Sequence, residues 1–288
     1  MKVIATLNFK GGVGKTTVTW LLANYVSKRE GKKVLVIDAD PQMSLTTAVT
    51  IDPESGMSDV SFEEWQKQSQ QNEKTIYHAL KGYATAVGSG TAFDFAIDNS
   101  FVYQRSGNLY LVPSVEDLYW FGLEPVDALR LRDFVRWLLE AVDKGEGLPK
   151  YDYCLVDCPP SFTALSFSVV CSADLILIPV NADVFAQKGV GIMLRGLKQR
   201  VKPLPAFAVF VNRVRPYRGA LPAFARKYLG DVSYRCGVEK DVGTEVEVIQ
   251  DLFIPERAGI RDAMRYSLPE DLERYFAELW HRVQRMMA

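Results

Sequence analysis

The feature that most limits how this chain can fold is a glycine-rich loop between an apolar run and a helical pattern. The apolar run covers residues 3–8, and apolar residues recur at helical spacing through residues 16–29. Glycines let successive backbone N–H groups turn inward around phosphate oxygens, and the start of a helix adds positive potential. We therefore predict a strand, a phosphate-binding loop and a helix, the loop being formed by Lys10, Gly11, Gly12, Val13, Gly14, Lys15, Thr16 and Thr17.

Short apolar runs alternate with helical patterns along the rest of the chain. Buried strands are predicted at residues 34–37, 109–112, 153–156, 175–180 and 206–211, and helices at 126–142, 185–201 and 221–229. This alternation predicts an α/β fold: a single doubly wound domain over residues 1–288, with a mostly parallel twisted sheet flanked by helices. The polar, aperiodic stretch around residues 52–75 is predicted to be a flexible insertion.

The composition favours a soluble globular protein over a membrane-spanning or secreted one. Apolar residues make up 48% of the chain and charged residues 24%, which is ordinary for a soluble globular protein. No run of 18 apolar residues occurs, so no membrane span is expected, and the first apolar run is too short for a signal peptide. The four cysteines form no CxxC pair, which favours reduced thiols in a cytoplasmic protein.

Polar side chains in the loop and after two strands suit the binding of ATP and Mg²⁺. Lys15 is placed to reach the β- and γ-phosphates, and the Thr16 hydroxyl to bind Mg²⁺. Asp157 directly follows a buried strand, as Asp38 and Asp40 follow another, and ligands of such sheets bind at the carboxyl ends of the strands. Two plainer interpretations stay open: a glycine turn without a ligand, and aspartates that cap the next helices.

The loop departs from the ordinary pattern G-x-x-x-x-G-K-[ST], because Phe9 stands at the first glycine position and Lys10 follows it. This variant, K-G-G-x-G-K-[ST], resembles the ParA/MinD family of deviant-loop P-loop ATPases. Asn8 and the segment Asp40-Pro41-Gln42 favour the ParA/Soj branch. Four segments resemble family motifs in the family's order: the first switch at 37–42, the Walker B strand and second switch at 155–161, the adenine-contacting strand end at 210–213, and the loop over the base at 254–257.

The resemblance implies a role for each matching residue. Lys10 would cross a dimer interface to the phosphates bound by the partner subunit, and Asp40 would position the attacking water. Asp38 would lie in the outer shell of the Mg²⁺ held by Thr16 and Asp157. Contacts to adenine would come from Asn212, Arg213 and Pro255.

The resemblance also implies an activity and partners. ATP hydrolysis would be slow and stimulated by a ParB-like or other partner protein, and the ATP state would be a homodimer that binds nonspecific DNA. Such a protein would be cytoplasmic, associated with the nucleoid, and would position or partition DNA or other cargo. Two departures affect the details: Met43-Ser44 stands where the family has Gly-Asn, and Lys188-Gly189 where it has Glu-Gly.

Basic residues are concentrated in one part of the chain. Residues 184–238 contain eleven lysines and arginines against one acid, Asp231, whereas the whole chain has a formal net charge of −1. Such a block indicates either a solvated face or a footprint for the DNA backbone. Arg213, Arg215 and Arg218 lie together in one predicted loop and are our candidates for contacts to DNA.

The C-terminal segment supports an alternative function. Residues 268–288 form an amphipathic helical pattern, and MinD-like ATPases that regulate the site of cell division bind membranes through such a helix. Acids crowd its polar side (Glu270, Asp271, Glu273 and Glu278), so we expect the helix to pack on the core instead, with no membrane partner. A metabolic ligase or reductase of the same superfamily is a further alternative, although no pair of cluster-binding cysteines stands out.

Overall fold

The structure is a computed structural model that describes residues 1–50, 60–124, 127–182, 184–217, 220–238, 246–256 and 268–288, excluding the side chains of 60, 61, 106, 184–188 and 233–238. Its strands are β1 (Lys2–Thr6), β2 (Val34–Asp38), β3 (Tyr103–Ser106), β4 (Leu109–Val112), β5 (Tyr153–Asp157), β6 (Leu175–Val180), β7 (Ala206–Val214) and β8 (Val246–Pro255).

Ten helices lie within the described residues. They are α1 (Lys15–Lys28), α2 (Ser44–Thr50), α3 (Val60–Gln71), α4 (Ile76–Ser89), α5 (Leu118–Phe121), α6 (Phe134–Lys144), α7 (Ala164–Ser172), α8 (Val184–Arg200), α9 (Ala223–Val238) and α10 (Glu270–Met286).

All eight strands form one sheet in the order β3-β4-β2-β5-β1-β6-β7-β8. Every pairing is parallel except that of β3 with β4. The strand register aligns Thr6 of β1, Asp157 of β5 and Asp38 of β2 at one edge. The carboxyl ends of the central strands therefore meet where the loops after β1, β2 and β5 begin, which is where ligands of doubly wound sheets bind.

Two apolar layers cover the faces of this sheet. One layer contains α1, α2 and α10, with Trp20 and Trp280 among its fully buried side chains. The other contains α4, α6, α7, α8 and α9, with Phe134 and Phe207 at its centre. Strands buried on both faces read as continuous apolar runs, which is why their positions could be predicted from the sequence.

The predicted fold class is confirmed: the chain forms one α/β domain with a mostly parallel sheet between helical layers. Most predicted elements are found within two residues of their bounds. The helix predicted for residues 126–142 begins only at Phe134, after a series of turns. Two strands were not predicted, β3 and β8, because their apolar residues are interrupted by polar ones at a sheet edge.

Residues 60–71, within the stretch around 52–75 that is predicted to be a flexible insertion, form α3, while residues 51–59 lie outside the described part of the chain. The flexibility of this stretch stays a prediction. Two aromatic residues attach this polar helix: the rings of Phe62 and Trp65 pack against Tyr103. The Trp65 indole also donates to the Asn99 carbonyl, and the Ser69 hydroxyl to that of Ser100. Tertiary contacts of a few residues thus order a segment without helical periodicity.

The C-terminal helix α10 packs on the core, as expected. Phe276, Leu279 and Trp280 on its apolar face are fully buried, in the same layer as α1. Its polar face is fixed by Arg282, whose guanidinium contacts the carboxylates of Glu278, Asp251 and Glu247. An apolar face already in the core is not available to a bilayer, which argues against the membrane-binding alternative. Among the described residues, no helix has the length and apolar character to cross a membrane.

Candidate nucleotide-binding site

The glycine-rich loop joins β1 to α1 at the carboxyl edge of the sheet. Gly12 and Gly14 have φ angles of 74° and 86°, in the left-handed region that glycine adopts at little cost. Gly14 is the N-cap residue of α1, so the loop ends where the unpaired N–H groups of the first helical turn begin. This is the backbone geometry that binds phosphate.

The end of β7 holds the loop from outside. The Asn212 side-chain amide donates a hydrogen bond to the Val13 carbonyl at 2.7 Å, and the Arg213 guanidinium donates one to the Gly12 carbonyl at 2.6 Å. Two successive carbonyls are thereby directed away from the centre of the loop. Because the carbonyl and the N–H of one peptide unit point in opposite directions, these bonds favour N–H groups that face inward.

Both the close approach of Asn212 and the φ angle require glycine at position 14. A Cβ atom at position 14 would overlap the Asn212 amide nitrogen and would also meet the Arg213 side chain. Both neighbours contact the loop through the hydrogen bonds described above, so neither can move away without breaking one. The close approach therefore explains why the chain has glycine here.

The predicted magnesium ligands lie together. The Thr16 hydroxyl donates to one carboxylate oxygen of Asp157 at 2.6 Å, which joins the first turn of α1 to the end of β5. The other carboxylate oxygen of Asp157 is buried and has no hydrogen-bond partner among the described residues. A buried carboxylate oxygen without a partner next to a threonine hydroxyl is a donor set that Mg²⁺ accepts.

Asp38 lies beside Asp157 but is bonded to the turn that follows its own strand. One of its oxygens accepts from both the backbone N–H and the hydroxyl of Thr46, and the other from the backbone N–H of Asp40. The Thr46 hydroxyl in turn accepts from the backbone N–H of Ser114, after β4. Asp38 therefore fixes the start of α2 relative to the sheet, and its predicted place in the outer shell of Mg²⁺ stays a prediction.

Burial makes this cluster electrostatically strained. Burial raises the pKa of Asp157 well above its usual range, and the Asp38 carboxylate raises it further, against the opposing effects of Thr16 and Lys15. Burial also raises the pKa of Asp38 to about 6, although its hydrogen bonds from Thr46 act against this. The pKa of Lys15 is lowered by burial, which outweighs the attraction of Asp157 and Asp40.

The charges present fit a divalent cation. The carboxylates of Asp157 and Asp40 act on the ammonium group of Lys15, and Asp38 acts on Asp157. Three buried carboxylates against one ammonium group give a formal excess of two negative charges. Cation binding would neutralise that excess and would favour the ionised form of Asp157. Thr16 and Asp157 are the residues that would hold the cation.

The turn after Asp40 contains a strained residue. Met43 has a φ of 54°, a left-handed conformation that disfavours side chains by roughly 1–2 kcal/mol. The N–H of Met43 donates to the Asp40 carbonyl, and the Asp40 carboxylate accepts from the N–H of Gln42. A glycine, which the resemblance leads one to expect here, would adopt this backbone without strain, so the departure has a structural cost.

The head of the loop is tied to two other strand ends. The Asn8 side chain donates to the Pro179 carbonyl in β6 and accepts from the backbone N–H of Lys10. Phe9 packs on Phe162, in the loop after β5, with ring centroids 5.5 Å apart. Both rings are more than a third exposed. These contacts connect the phosphate loop to the segment predicted as the second switch.

Of the remaining predicted residues, some lie at the same end of the sheet and others lie outside the residues that the structure describes. Pro255 ends β8, and its pairing places it opposite Val214 of β7. Arg215 projects into solvent with its side chain 88% exposed and pairs with Glu256 at 2.8 Å. Arg218 is outside the described residues, as is Arg257 of the predicted loop over the base.

Comparison with known proteins places this geometry in a family. A family model described as an AAA domain matches residues 1–204 of the chain. The chromosome-partitioning ATPase Soj of Thermus thermophilus is 30% identical over 197 residues, which are 68% of this chain and 61% of that relative. The chain belongs to this AAA-domain family, and ParA/Soj-type proteins are among the relatives that it resembles. It thus spans less than two thirds of the length of the Soj relative.

Two solved structures share the fold of this chain at lower identity. A putative plasmid partition protein of Borrelia burgdorferi, bound to AMPPNP, is 20% identical with a TM-score of 0.66, covering 99% of this chain and 98% of that one. The structure of pNOB8 ParA bound to nonspecific DNA is 22% identical with a TM-score of 0.65, covering 99% of each chain. At these identities the likeness shows the fold.

Sequence reasoning did not find several residues of the site. The hydrogen bonds from Asn212 and Arg213 to the loop join residues about two hundred positions apart. Thr46 belongs to none of the predicted motifs, and Glu256 lies in the predicted loop over the base without a role of its own. The resemblance of residues 210–213 to a family motif singled out Asn212 and Arg213, but for adenine contacts, a role that stays a prediction.

We predict that Lys15→Ala lowers the affinity for MgATP about tenfold to hundredfold, because a charge-assisted hydrogen bond to phosphate is lost. Isothermal titration calorimetry with MgATP measures this directly. Lys150→Ala is the control, since Lys150 is an exposed lysine that pairs with Asp143 at 2.9 Å away from the site. Equal affinities for the Lys15 variant and the control would contradict the assignment of the loop.

Proposed function

We propose that this chain is an ATP-dependent dimerising ATPase that positions or partitions DNA or other cellular cargo and binds nonspecific DNA in its ATP state. The observation that carries the proposal is the phosphate loop with Lys10 at its head and the Thr16–Asp157 pair behind it. The names of similar proteins support it: a chromosome-partitioning ATPase, and a ParA bound to nonspecific DNA.

Nucleotide binding begins from a loop that is already shaped. The N–H groups of Gly12 to Lys15 bind the β-phosphate, and Lys15 approaches the γ-phosphate with its ammonium group. Thr16 and Asp157 would hold Mg²⁺, which would supply positive charge to the phosphate oxygens during transfer.

Hydrolysis requires a water molecule in line with the γ-phosphate, and Asp40 is the residue that we assign to it. Asp40 is 8% exposed and close enough to Lys15 to affect its pKa, so its carboxylate lies near the phosphates. Its hydrogen bond from the N–H of Gln42 fixes the orientation of the carboxylate. Hydrolysis by the isolated chain is slow in this proposal because completion of the site depends on the second subunit and a partner protein.

Dimerisation follows from the position of Lys10. Its backbone is tethered through Asn8 to β6, at the outer end of the loop, and its side chain is half-buried at the mouth of the site. We assign this lysine to the phosphates of the nucleotide in a facing subunit. Phe9 and Phe162, both partly exposed beside it, would be covered in the same dimer.

Two variants separate chemistry from association, and each serves as the control for the other. Asp40→Ala should bind MgATP and form dimers but release no phosphate, because only water positioning is lost. Lys10→Ala should bind MgATP within about threefold of the wild type and stay monomeric, because the half-buried Lys10 is assigned to the nucleotide of the facing subunit and contributes little within its own. Calorimetry, light scattering and phosphate release measure the three properties. An ATP-dependent dimer of Lys10→Ala would refute its crossing role, and wild-type phosphate release by Asp40→Ala would refute the role of that carboxylate.

DNA binding is proposed for the basic surface of the C-terminal half. Among the described residues of this block, the exposed basic side chains outside the phosphate loop contacts are Arg195, Arg200, Lys202, Arg215, Arg226 and Lys227. Arg213 is bonded to the loop and to Glu256, so Arg215 is the member of the predicted loop triad that we carry forward. No base-reading motif accompanies these residues, which favours contacts to the DNA backbone.

Wild-type protein with ATP should bind unrelated duplexes with an affinity that falls steeply with salt, at a log–log slope of about −0.9 per phosphate contact. The double variant Arg215→Glu, Lys227→Glu should lose at least about tenfold in affinity at low salt, with a slope less steep by about 1.8 if both residues contact phosphates. Fluorescence anisotropy across a salt series measures both quantities.

The matched control reverses two exposed charges on α6, Arg136→Glu and Lys144→Glu, and should bind DNA as the wild type does. No DNA binding by the wild type with ATP at low salt would refute the DNA proposal. An equal loss in the control would show that total charge, and not this surface, determines binding.

A further inference from the structure

Arg213 occupies a strained position that directs its side chain to the phosphate loop. Its φ of 56° lies in the left-handed region, which is unfavourable for residues with a Cβ. The pairing of β7 with β8 shows why: Asn212 lies opposite Ile254 and Val214 opposite Pro255, so Arg213 is the extra residue of a β-bulge. Bulges redirect side chains, and this one brings the Arg213 guanidinium to the Gly12 carbonyl.

Glu256 lies beside this bulge and contacts the same guanidinium from the other side. Its backbone N–H donates to the Val214 carbonyl, which places it directly after the paired end of β8. One carboxylate oxygen is 3.7 Å from Arg213 Nη2, and the other accepts from Arg215 Nε at 2.8 Å. Arg213 is thus held by its two Nη atoms, one on the loop and one on Glu256.

A guanidinium that is hydrogen-bonded through one Nη and paired with a carboxylate through the other has fewer orientations than a free one, because its nitrogens form a rigid fork. With Glu256 in place, the Arg213 side chain is ordered before ATP arrives, and the Gly12 carbonyl keeps its outward direction. Without Glu256 the long, half-exposed side chain gains many alternative rotamers, and the bond to Gly12 has to compete with them. An ordered binding loop raises affinity by lowering the entropy lost on binding.

We propose that Glu256 is a positioning residue for nucleotide binding, which acts by holding Arg213 on the Gly12 carbonyl of the phosphate loop. This inference rests on the proposed ATP site but not on dimerisation or DNA binding. It concerns affinity and not chemistry, because neither Glu256 nor Arg213 is assigned to the attacking water. It also assigns Arg213 to the shape of the loop, in addition to the adenine contact predicted from the sequence.

Whether Glu256→Gln strengthens or weakens ATP binding distinguishes a positioning role from a long-range electrostatic effect. Glu256→Gln removes a negative charge near the phosphate site, so a purely long-range effect would strengthen the binding of anionic ATP. Loss of positioning predicts the opposite, namely weaker binding. A surface ion pair with no connection to the loop would change neither affinity nor KM, because such pairs contribute little.

The test is a double-mutant cycle on ATP affinity, measured by calorimetry in the absence of DNA. Arg213→Gln should weaken MgATP binding about tenfold, through loss of a charge-assisted bond to the loop. Glu256→Gln should weaken it about threefold, as expected for a partly exposed pair. The double variant should be no weaker than Arg213→Gln alone, because Glu256 acts through Arg213. Steady-state KM should follow these affinities while kcat stays within about twofold of the wild type.

Three further variants sharpen the test. Glu256→Asp keeps the charge and should recover part of the affinity lost in Glu256→Gln. Arg215→Gln removes the nearer partner of Glu256, an arginine for which we describe no bond to the loop. It should therefore weaken the binding of MgATP less than Arg213→Gln does. Arg136→Gln removes an exposed arginine paired with Asp133 elsewhere, and should bind MgATP as the wild type does.

The outcomes separate this inference from the proposed function. Failure of the wild type to bind MgATP would refute both the proposed function and the positioning role of Glu256. Normal binding by the wild type together with unchanged or tighter binding by Glu256→Gln would refute only the positioning role. Additive losses in the double variant, or equal losses for Arg215→Gln and Arg213→Gln, would also refute it. Melting temperatures of all variants show whether a loss of affinity reflects a loss of folded protein.

Discussion

The site depends on a small set of hydrogen bonds between the phosphate loop and the end of a strand that is not its neighbour. The loop begins after β1, is anchored at its head to β6 through Asn8, and is held on its outer side by Asn212 and Arg213 of β7. In the sheet, β6 lies between β1 and β7, so the loop extends across the end of one strand to reach another. The parallel pairing of β1, β6 and β7, with their carboxyl ends at one edge, makes this contact possible.

The site also depends on a cluster of buried charged side chains. Asp157 and Asp38 are fully buried carboxylates with raised pKa values, next to a lysine whose pKa is lowered by burial. Without a ligand, such a cluster destabilises the folded protein. A bound cation and polyphosphate would supply charges opposite to those of the carboxylates and of the lysine, and would stabilise the cluster. Ionisation of Asp38 in the folded state is disfavoured, so this residue lowers stability as the pH rises from about 4 towards 6. Binding energy of the ligand thus compensates for strain in the site.

The sequence was sufficient for features that depend on neighbouring residues. The order strand, loop and helix around Gly14 and Lys15 can be read from composition and spacing, and so can Asp157 at the end of a buried strand. Contacts between distant segments could not be predicted in this way. The bulge at Arg213 needs β8 as its partner, and the charge of Arg213 and Arg215 is partly offset by Glu256, which lies outside the basic block. Helix α3 was missed because Phe62 and Trp65 order it through Tyr103, a residue of another strand.

The central claim is that a loop held from outside by β7 is already shaped to bind MgATP. Calorimetric titration of Gly14→Ala tests it most directly, because a Cβ at this position would displace Asn212 and the residue has a φ of 86°. The control is Gly88→Ala, in α4, where an added Cβ meets nothing within 4 Å. The account predicts that Gly14→Ala folds but loses at least about tenfold in MgATP affinity, whereas Gly88→Ala binds normally. Wild-type affinity in a folded Gly14→Ala variant would contradict it.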